Sequence, residues 1–325
     1  MRNTGCFFST IMAFFVALAA PGLSLAQKWP EKPIRFVIAF APGGVHDTLA
    51  RLLQPRLNEA LGQPILLENR GGAGGNVAAE AVVRSANDGY TFLIASEAIA
   101  TNEALYGKLN YDPQRDLAQV AIMARFPLAL VVYAGLPAES TADLIALARA
   151  KPGSLSFASA GIGASGHLAG EMFKSITGID AVHVPYKGGA PAMNDLVAGR
   201  TQFMFLSVSL SASQVQQGKL RALAVVSSSR NPVMPTVPTI AEAGLDSFDA
   251  LLFSGMHAPA GTPVAIINRM SEELGRAVRA PEMQKRLADI GAVPLPSTPA
   301  EFTVTLGRER ERWGKLIREK GIRAE

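Results

Sequence analysis

A pair of glycines set between a strand signal and a helical repeat constrains this chain more than any other feature. Residues 34–40, Ile-Arg-Phe-Val-Ile-Ala-Phe, form a short β-branched and aromatic run that reads as a buried strand. Leu49, Leu52, Leu53, Leu57, Ala60 and Leu61 then recur at helical spacing. Between the two stands Ala41-Pro42-Gly43-Gly44-Val45-His46-Asp47. The glycines let the backbone turn sharply and leave N–H groups uncovered at the helix N-terminus. Those groups carry the positive end of the helix dipole, so the loop reads as a receptor for a carboxylate or phosphate.

Strand and helix signals go on alternating. Strands are predicted at 64–68, 90–96, 128–133, 154–159, 182–186, 202–207 and 221–226, with helices at 77–86, 141–150 and 167–177. This is the pattern of α/β domains with largely parallel sheets. The C-terminal part is helical. Thr262-Pro263 pairs an N-cap residue with proline at the first helical position, and Thr298-Pro299-Ala300-Glu301 is a capping box. In the last helix Phe302, Leu306, Trp313, Leu316 and Ile317 make one apolar packing stripe, while the charged run 308–312 reads as a solvated face. Pro55 falls inside the first helix and predicts a bend near Arg51 or an early irregular turn there.

Residues 1–26 have the features of a secretory leader: Arg2, an apolar stretch at 7–20, and Ser24-Leu25-Ala26 as a small-x-small cleavage site. The expected address is the periplasm. Cys6, the chain's only cysteine, lies within that leader, so a processed chain has no disulfide, thiol nucleophile or cysteine-ligated metal. Arg2 is the leader's only charge, and its removal lowers the formal net charge from +4 to +3. The small excess is dispersed, with no basic tract, which argues against nucleic acid as a partner.

Several motifs could carry chemistry. Gly161-Ile162-Gly163-Ala164-Ser165-Gly166 is a literal GxGxxG after a predicted strand and before a helix. The following strand, however, ends His183-Val184-Pro185-Tyr186-Lys187, with no acid placed for a ribose hydroxyl. A turn offering N–H groups and the Ser159 and Ser165 hydroxyls to an anion fits better, and a purely structural turn stays open. A nucleophile elbow is nearly present, but His167 stands where its last glycine belongs. His46, His167, His183 and His257 show no metal-ligand spacing. Asp47 either complements the helix dipole, fixes its loop, or accepts a hydrogen bond from a ligand. Gly71-Gly72-Ala73-Gly74-Gly75-Asn76 repeats the first loop's logic, and two such loops converge beyond strand ends or are simply tight turns. Lys187, in a further strand-to-helix turn, either offers charge or lies along the surface.

Taken in order, these pieces resemble one family. The segment at 29–35, Ala41-Pro42-Gly43-Gly44 with Asp47, Ala50 and Arg51, the stretch 62–70, and Gly72–Asn76 come first. Asp88-Gly89-Tyr90-Thr91, Tyr186-Lys187-Gly188, residues 218–224 and Ala258-Pro259-Ala260-Gly261-Thr262-Pro263 follow. The ordered set resembles the Bug family, periplasmic substrate-binding proteins of tripartite tricarboxylate transporters. The resemblance implies an α/β, two-lobed, type II flytrap-like periplasmic-binding-protein fold with a ligand cleft between lobes. It implies crossings near Arg125 and Leu251, with 27–125 plus 252–325 as one lobe and 126–251 as the other. It implies a carboxylate held at the cleft mouth, with no cofactor, no metal and no catalytic residue. The nominated positions are Ala41, Gly43, Gly44 and Asp47, then Ser96, then Ser159, Gly163, Ser165 and His167, and Tyr186. The implied partners are a small organic carboxylate and the membrane components of such a transporter, or a sensor protein, with the receptor a monomer. Two departures stand out. Met204-Phe205-Leu206 replaces a frequent Met-Phe-Asp, and Phe253-Ser254 replaces an aromatic pair. The missing acid argues against an ammonium-bearing ligand and leaves dicarboxylates, aromatic acids and other small carboxylates open. A secreted enzyme, either a hydrolase using Ser165 or a dinucleotide-dependent oxidoreductase using the Gly161 loop, is the alternative.

Overall fold

The structure, a computed structural model, describes residues 29–246, 248, 250 and 252–324. The expected leader at 1–26 and the crossing expected at Leu251 lie outside the described residues. The first half of the chain runs β1 (Ile34–Ile38), α1 (Val45–Leu61), β2 (Ile65–Asn69), a single turn Ala73–Gly75, α2 (Asn76–Val83) and β3 (Thr91–Ala95). It continues as α3 (Ala98–Tyr106), β4 (Leu117–Arg125), β5 (Leu128–Tyr133), α4 (Thr141–Ala150), β6 (Ser156–Ser159) and α5 (Ser165–Thr177). Next come β7 (Val182–Pro185), α6 (Gly189–Val197), β8 (Phe203–Ser207), α7 (Val208–Gln216) and β9 (Leu220–Val226). The chain closes with β10 (Phe253–Pro259), α8 (Val264–Arg279), α9 (Pro281–Asp289), β11 (Val293–Pro294) and α10 (Pro299–Lys320).

The strands form two sheets, ordered β11-β4-β10-β3-β1-β2 and β7-β6-β8-β5-β9. Side-chain alternation explains how each is covered on both faces. Ile34, Phe36 and Ile38 of β1 enter the core under α1 and α8, while Val37 joins Ala78, Ala79 and Leu93 on the other face. In the second sheet Phe203 and Phe205 of β8 pack with α5, and Met204 and Leu206 point the opposite way, with Ala192 and Leu196 of α6. The sheets are mixed rather than largely parallel. β1 runs parallel to β2 and β3, and β6 runs parallel to β7 and β8. However, β10 is antiparallel to both β3 and β4, and β5 is antiparallel to both β8 and β9. The antiparallel strands are those at which the chain changes sheets: β4 ends at Arg125 in one sheet and β5 starts at Leu128 in the other, and β10 is the strand by which the chain re-enters the first. The return is tied to the outward crossing, since Phe126 N donates to Leu252 O at 2.7 Å.

Local expectations fare differently. α1 runs through Pro55 as one helix, held by the buried Leu49, Leu53, Leu57 and Leu61. Burying side chains of this size contributes roughly 1.5–3 kcal/mol each, which offsets the roughly 3 kcal/mol cost of an interior proline. Thr262 is not the cap of α8. Its hydroxyl donates to Pro259 O at 2.8 Å, and the helix starts one residue later than expected, with Pro263 at the cap position. The capping box at the start of α10 is present in both directions. Replacing Thr298 by Ala should therefore lower stability by about 1 kcal/mol, read as a lower urea midpoint at unchanged slope.

The charged run on α10 is solvated at Arg308 and Glu311 but not at Glu309, which is 7 % exposed and accepts from Trp313 Nε1 at 2.8 Å. α10 also divides its packing. Phe302 and Leu306 lie against Ile122 and Phe253 of the first sheet, whereas Trp313 and Ile317 belong to the core of the second. Beyond the helix, Ala324 N donates to Leu105 O at 2.9 Å. Among the described residues, no helix is long and apolar enough to cross a membrane.

Candidate functional site

Where the two sheets face each other, a cavity encloses about 480 Å³ of empty space, mouth included. The first sheet supplies Gly44, Val45 and His46 after β1, and Ser96 after β3. The second supplies Ala164, Ser165 and Gly166 after β6, and Gly189 at the start of α6. Val45, Ser165 and Gly189 are thus the first residues of three helices drawn from both sheets. First-turn N–H groups have no acceptor within their own helix. At α4 and α10 a Ser or Thr caps them, whereas α1, α5 and α6, like the remaining described helices, have no side-chain cap. Three uncapped positive dipole ends therefore converge on one space, an arrangement suited to an anion.

The glycines here have geometric reasons. Gly43 has φ 79, in the left-handed region. A Cβ on Gly166 would lie 2.5 Å from Phe205 O, so α5 can approach β8 this closely only with glycine at that point.

Of the positions nominated from the sequence, Gly44, Ser96 and Ser165 meet at this cavity. Ala41, Gly43 and Asp47 hold the first loop in shape. Gly43 N donates to Asp47 Oδ2 at 2.9 Å, Arg51 Nε donates to the same oxygen at 3.0 Å, and Ala41 N donates across the interface to Lys187 O at 3.3 Å. Burial works to raise the Asp47 pKa, but the bonds from Arg51 and Gly43 prevail and hold it below the usual carboxylate range. Ser159 and Gly163 shape the second loop. The Ser159 hydroxyl shares a 2.7 Å hydrogen bond with His183 Nε2, and Gly163 N donates to His167 Nδ1 at 3.0 Å. His167 stacks on His183 with centroids 4.0 Å apart, beside a separate recess that includes Ile322 and Arg323. Tyr186 donates to Asp195 and lines another recess between the sheets, with Gly74 and Ile162. Lys187 is exposed.

Sequence reasoning missed Glu97. It is 1 % exposed, accepts from the Ser165 hydroxyl across the interface, and accepts from Phe253 N at 3.3 Å. Burial pushes its carboxyl up to about 7. The available signal was an acid embedded in the apolar run 92–100. Also missed was His46, which lines the cavity, stacks on Phe40 and shares a 3.0 Å hydrogen bond with Ser254 Oγ. Burial pushes its imidazole down to about 3, so it stands neutral in the cavity wall. Among the described residues no group of His, Cys, Asp and Glu could hold a metal ion.

Two α/β lobes with a cavity between the strand ends define a periplasmic-binding-protein fold and a solute receptor. The family model described as "Tripartite tricarboxylate transporter family receptor" matches residues 49–322. Protein BugT of Bordetella pertussis is 34 % identical over 316 residues, covering 96 % of this chain and 97 % of BugT. Rpa4515 of R. palustris, solved with adipate, superposes with TM-score 0.87 at 36 % identity, covering 90 % of this chain and 98 % of that one. The periplasmic binding protein BugD gives TM-score 0.87 at 31 % identity, covering 91 % and 100 %. The chain belongs to the receptor family of the tripartite tricarboxylate transporters, as its ordered loop motifs implied.

Proposed function

We propose that this chain is a periplasmic receptor that binds a small organic carboxylate between its lobes and delivers it to the membrane components of a tripartite transporter. The observation that carries this reading is the convergence of uncapped helix N-termini from both sheets on one cavity, with the Ser96 and Ser165 hydroxyls beside them. Charge-assisted hydrogen bonds of that kind contribute roughly 1.5–3 kcal/mol each. The adipate complex of Rpa4515 supports a carboxylate ligand. In this reading residues 1–26 are a cleaved leader, 27–125 with 252–325 build one lobe, and 126–251 build the other. α10 reaches from the first onto the second. The receptor acts without a cofactor, as a monomer, and without catalysis. A non-catalytic role agrees with Ser165 donating to Glu97 and His167 bonding to Gly163 N, so that neither joins the other in a nucleophile–base pair.

The test is a thermal-shift panel on chain stripped of ligand by unfolding and refolding. It covers dicarboxylates, tricarboxylates, aromatic acids, aliphatic acids and amino acids, with NAD as the enzyme control. A ligand at 100 times its Kd adds about 2.7 kcal/mol, a rise of a few degrees for a chain of this size. A rise confined to carboxylates, with the ligand recovered unchanged, is the expected result. A rise with NAD alone, or consumption of the ligand, would overturn it.

A further inference from the structure

His46 is the second residue of α1, and its ring is fixed from two sides. Phe40 stacks on it with ring centroids 4.8 Å apart, and Ser254 Oγ lies 3.0 Å from Nδ1. Burial keeps the ring neutral, so it carries one proton, on one nitrogen or the other. Ser254 decides which. The residue is completely buried, and among the described residues Nδ1 is the one hydrogen-bond partner of its hydroxyl. A hydroxyl always has a proton to place, so Ser254 donates and Nδ1 accepts. The ring proton therefore sits on Nε2. The sequence departure at Phe253-Ser254 thus has a counterpart on α1, since an aromatic side chain other than tyrosine's or tryptophan's has no polar atom to make this bond.

Nε2 has no acceptor among the described residues. Nor is it sealed inside the protein, as both ring nitrogens of His257 are, because the cavity reaches it. An N–H donor without an acceptor therefore lines the same space as Gly44 and Val45 at the uncapped start of α1. An occupant that sets an oxygen against this donor completes it. One that sets an ammonium group or a hydrocarbon there leaves a buried donor unpaired. We propose that His46 is a ligand-binding and specificity-determining residue, giving its Nε2 proton as an uncharged hydrogen bond to an ionised oxygen of the solute, and that Ser254 is the positioning residue that keeps the proton on that nitrogen. The proposal rests on the receptor reading above and adds a side chain to it. A neutral donor holds an anion without the cost of burying a cation beside it.

Isothermal titration calorimetry on the stripped chain, with adipate, malate and benzoate as probes, compares His46→Gln with His46→Phe. Glutamine loses the ring but brings an amide N–H of similar reach, whereas phenylalanine keeps a ring against Phe40 and brings no donor. For the probe that the parent binds best, His46→Phe should lose about tenfold or more in affinity and His46→Gln less than about threefold. A role in packing alone predicts the reverse order, and that order would overturn the proposal and leave the receptor reading standing. Parent affinity in His46→Phe would do the same. His46→Phe leaves the Ser254 hydroxyl unpaired, so His46→Phe combined with Ser254→Ala repeats the comparison if the single variant melts early. NMR of the imidazole nitrogens, with His46 assigned by its loss in His46→Gln, reads the tautomer directly. The parent should show Nε2 protonated with and without probe, and Ser254→Ala a mixture of the two tautomers. A proton on Nδ1 in the parent would remove both roles. Silence of the parent toward all three probes and the wider panel would instead overturn the receptor reading itself.

Discussion

Acidifying the protein from about pH 7 to about pH 5 should destabilise it by about 4 kcal/mol through His46 and His257 alone. Both imidazoles are fully buried, and burial lowers each from 6.5 to about 3. The unfolded chain therefore takes up these protons first as pH falls. Stability is fully present above pH 6.5 and is lost progressively from there toward pH 3. At pH 5 each group is about 1.5 units below its unfolded value, worth about 2 kcal/mol. His167, lowered to about 4, and His183, lowered to about 3, act in the same direction. Glu97 acts in the opposite one. Its carboxyl is raised from 4.5 to about 7, so the folded chain holds a proton that the unfolded chain has released. Its contribution falls as pH rises between those values and recovers on acidification. Urea midpoints at pH 7, 6 and 5 for three proteins separate these effects. His257→Leu should flatten the fall, and because both ring nitrogens of His257 lack partners it should not weaken the neutral protein. Glu97→Gln should steepen the fall. Parallel curves for all three would show that these groups do not carry the pH dependence.

Gly166→Ala should lower ligand affinity by about tenfold or more and reduce the melting temperature by several degrees. The added Cβ would meet Phe205 O at 2.5 Å. That oxygen belongs to the central strand of the second sheet and cannot swing aside as a side-chain tip would. The first turn of α5 must move instead, carrying Ala164 and Ser165 with it. The contact between Ser165 and Glu97 then stretches, and one of the converging N-termini leaves its place. Gly307→Ala is the matched control. A Cβ there meets nothing within 4 Å, and within a helix the change should stabilise by up to about 1 kcal/mol. Wild-type affinity in Gly166→Ala would place the ligand away from the start of α5.

Much of the architecture could be read from local pattern. The strand Leu128–Tyr133 and the helix Thr141–Ala150 have the bounds their periodicity predicts, because an apolar period reports directly on which face is covered. The glycine loops were visible for a similar reason, since their residue types answer to backbone geometry within a few positions. What escaped depends on partners distant in sequence. Glu97 is buried by Ser165, 68 residues on, and His46 is bonded to Ser254, 208 residues on. The antiparallel entry of β5 and β10 follows from where the chain changes sheets, which no local period encodes. The same holds for α10, whose single apolar stripe serves two cores.

That division of α10 bears on how the molecule can move. The outward and return crossings are bonded side by side at Phe126 and Leu252 and behave as one pin. A pin alone would permit both folding and swivelling about its length. The last helix is anchored at Phe302 on one side and at Trp313 and Ile317 on the other, which adds a strut away from the pin and removes the swivel. What remains is rotation about a single axis, so the angle between the lobes reduces to one coordinate, which in the proposed receptor reading occupancy of the cavity would set.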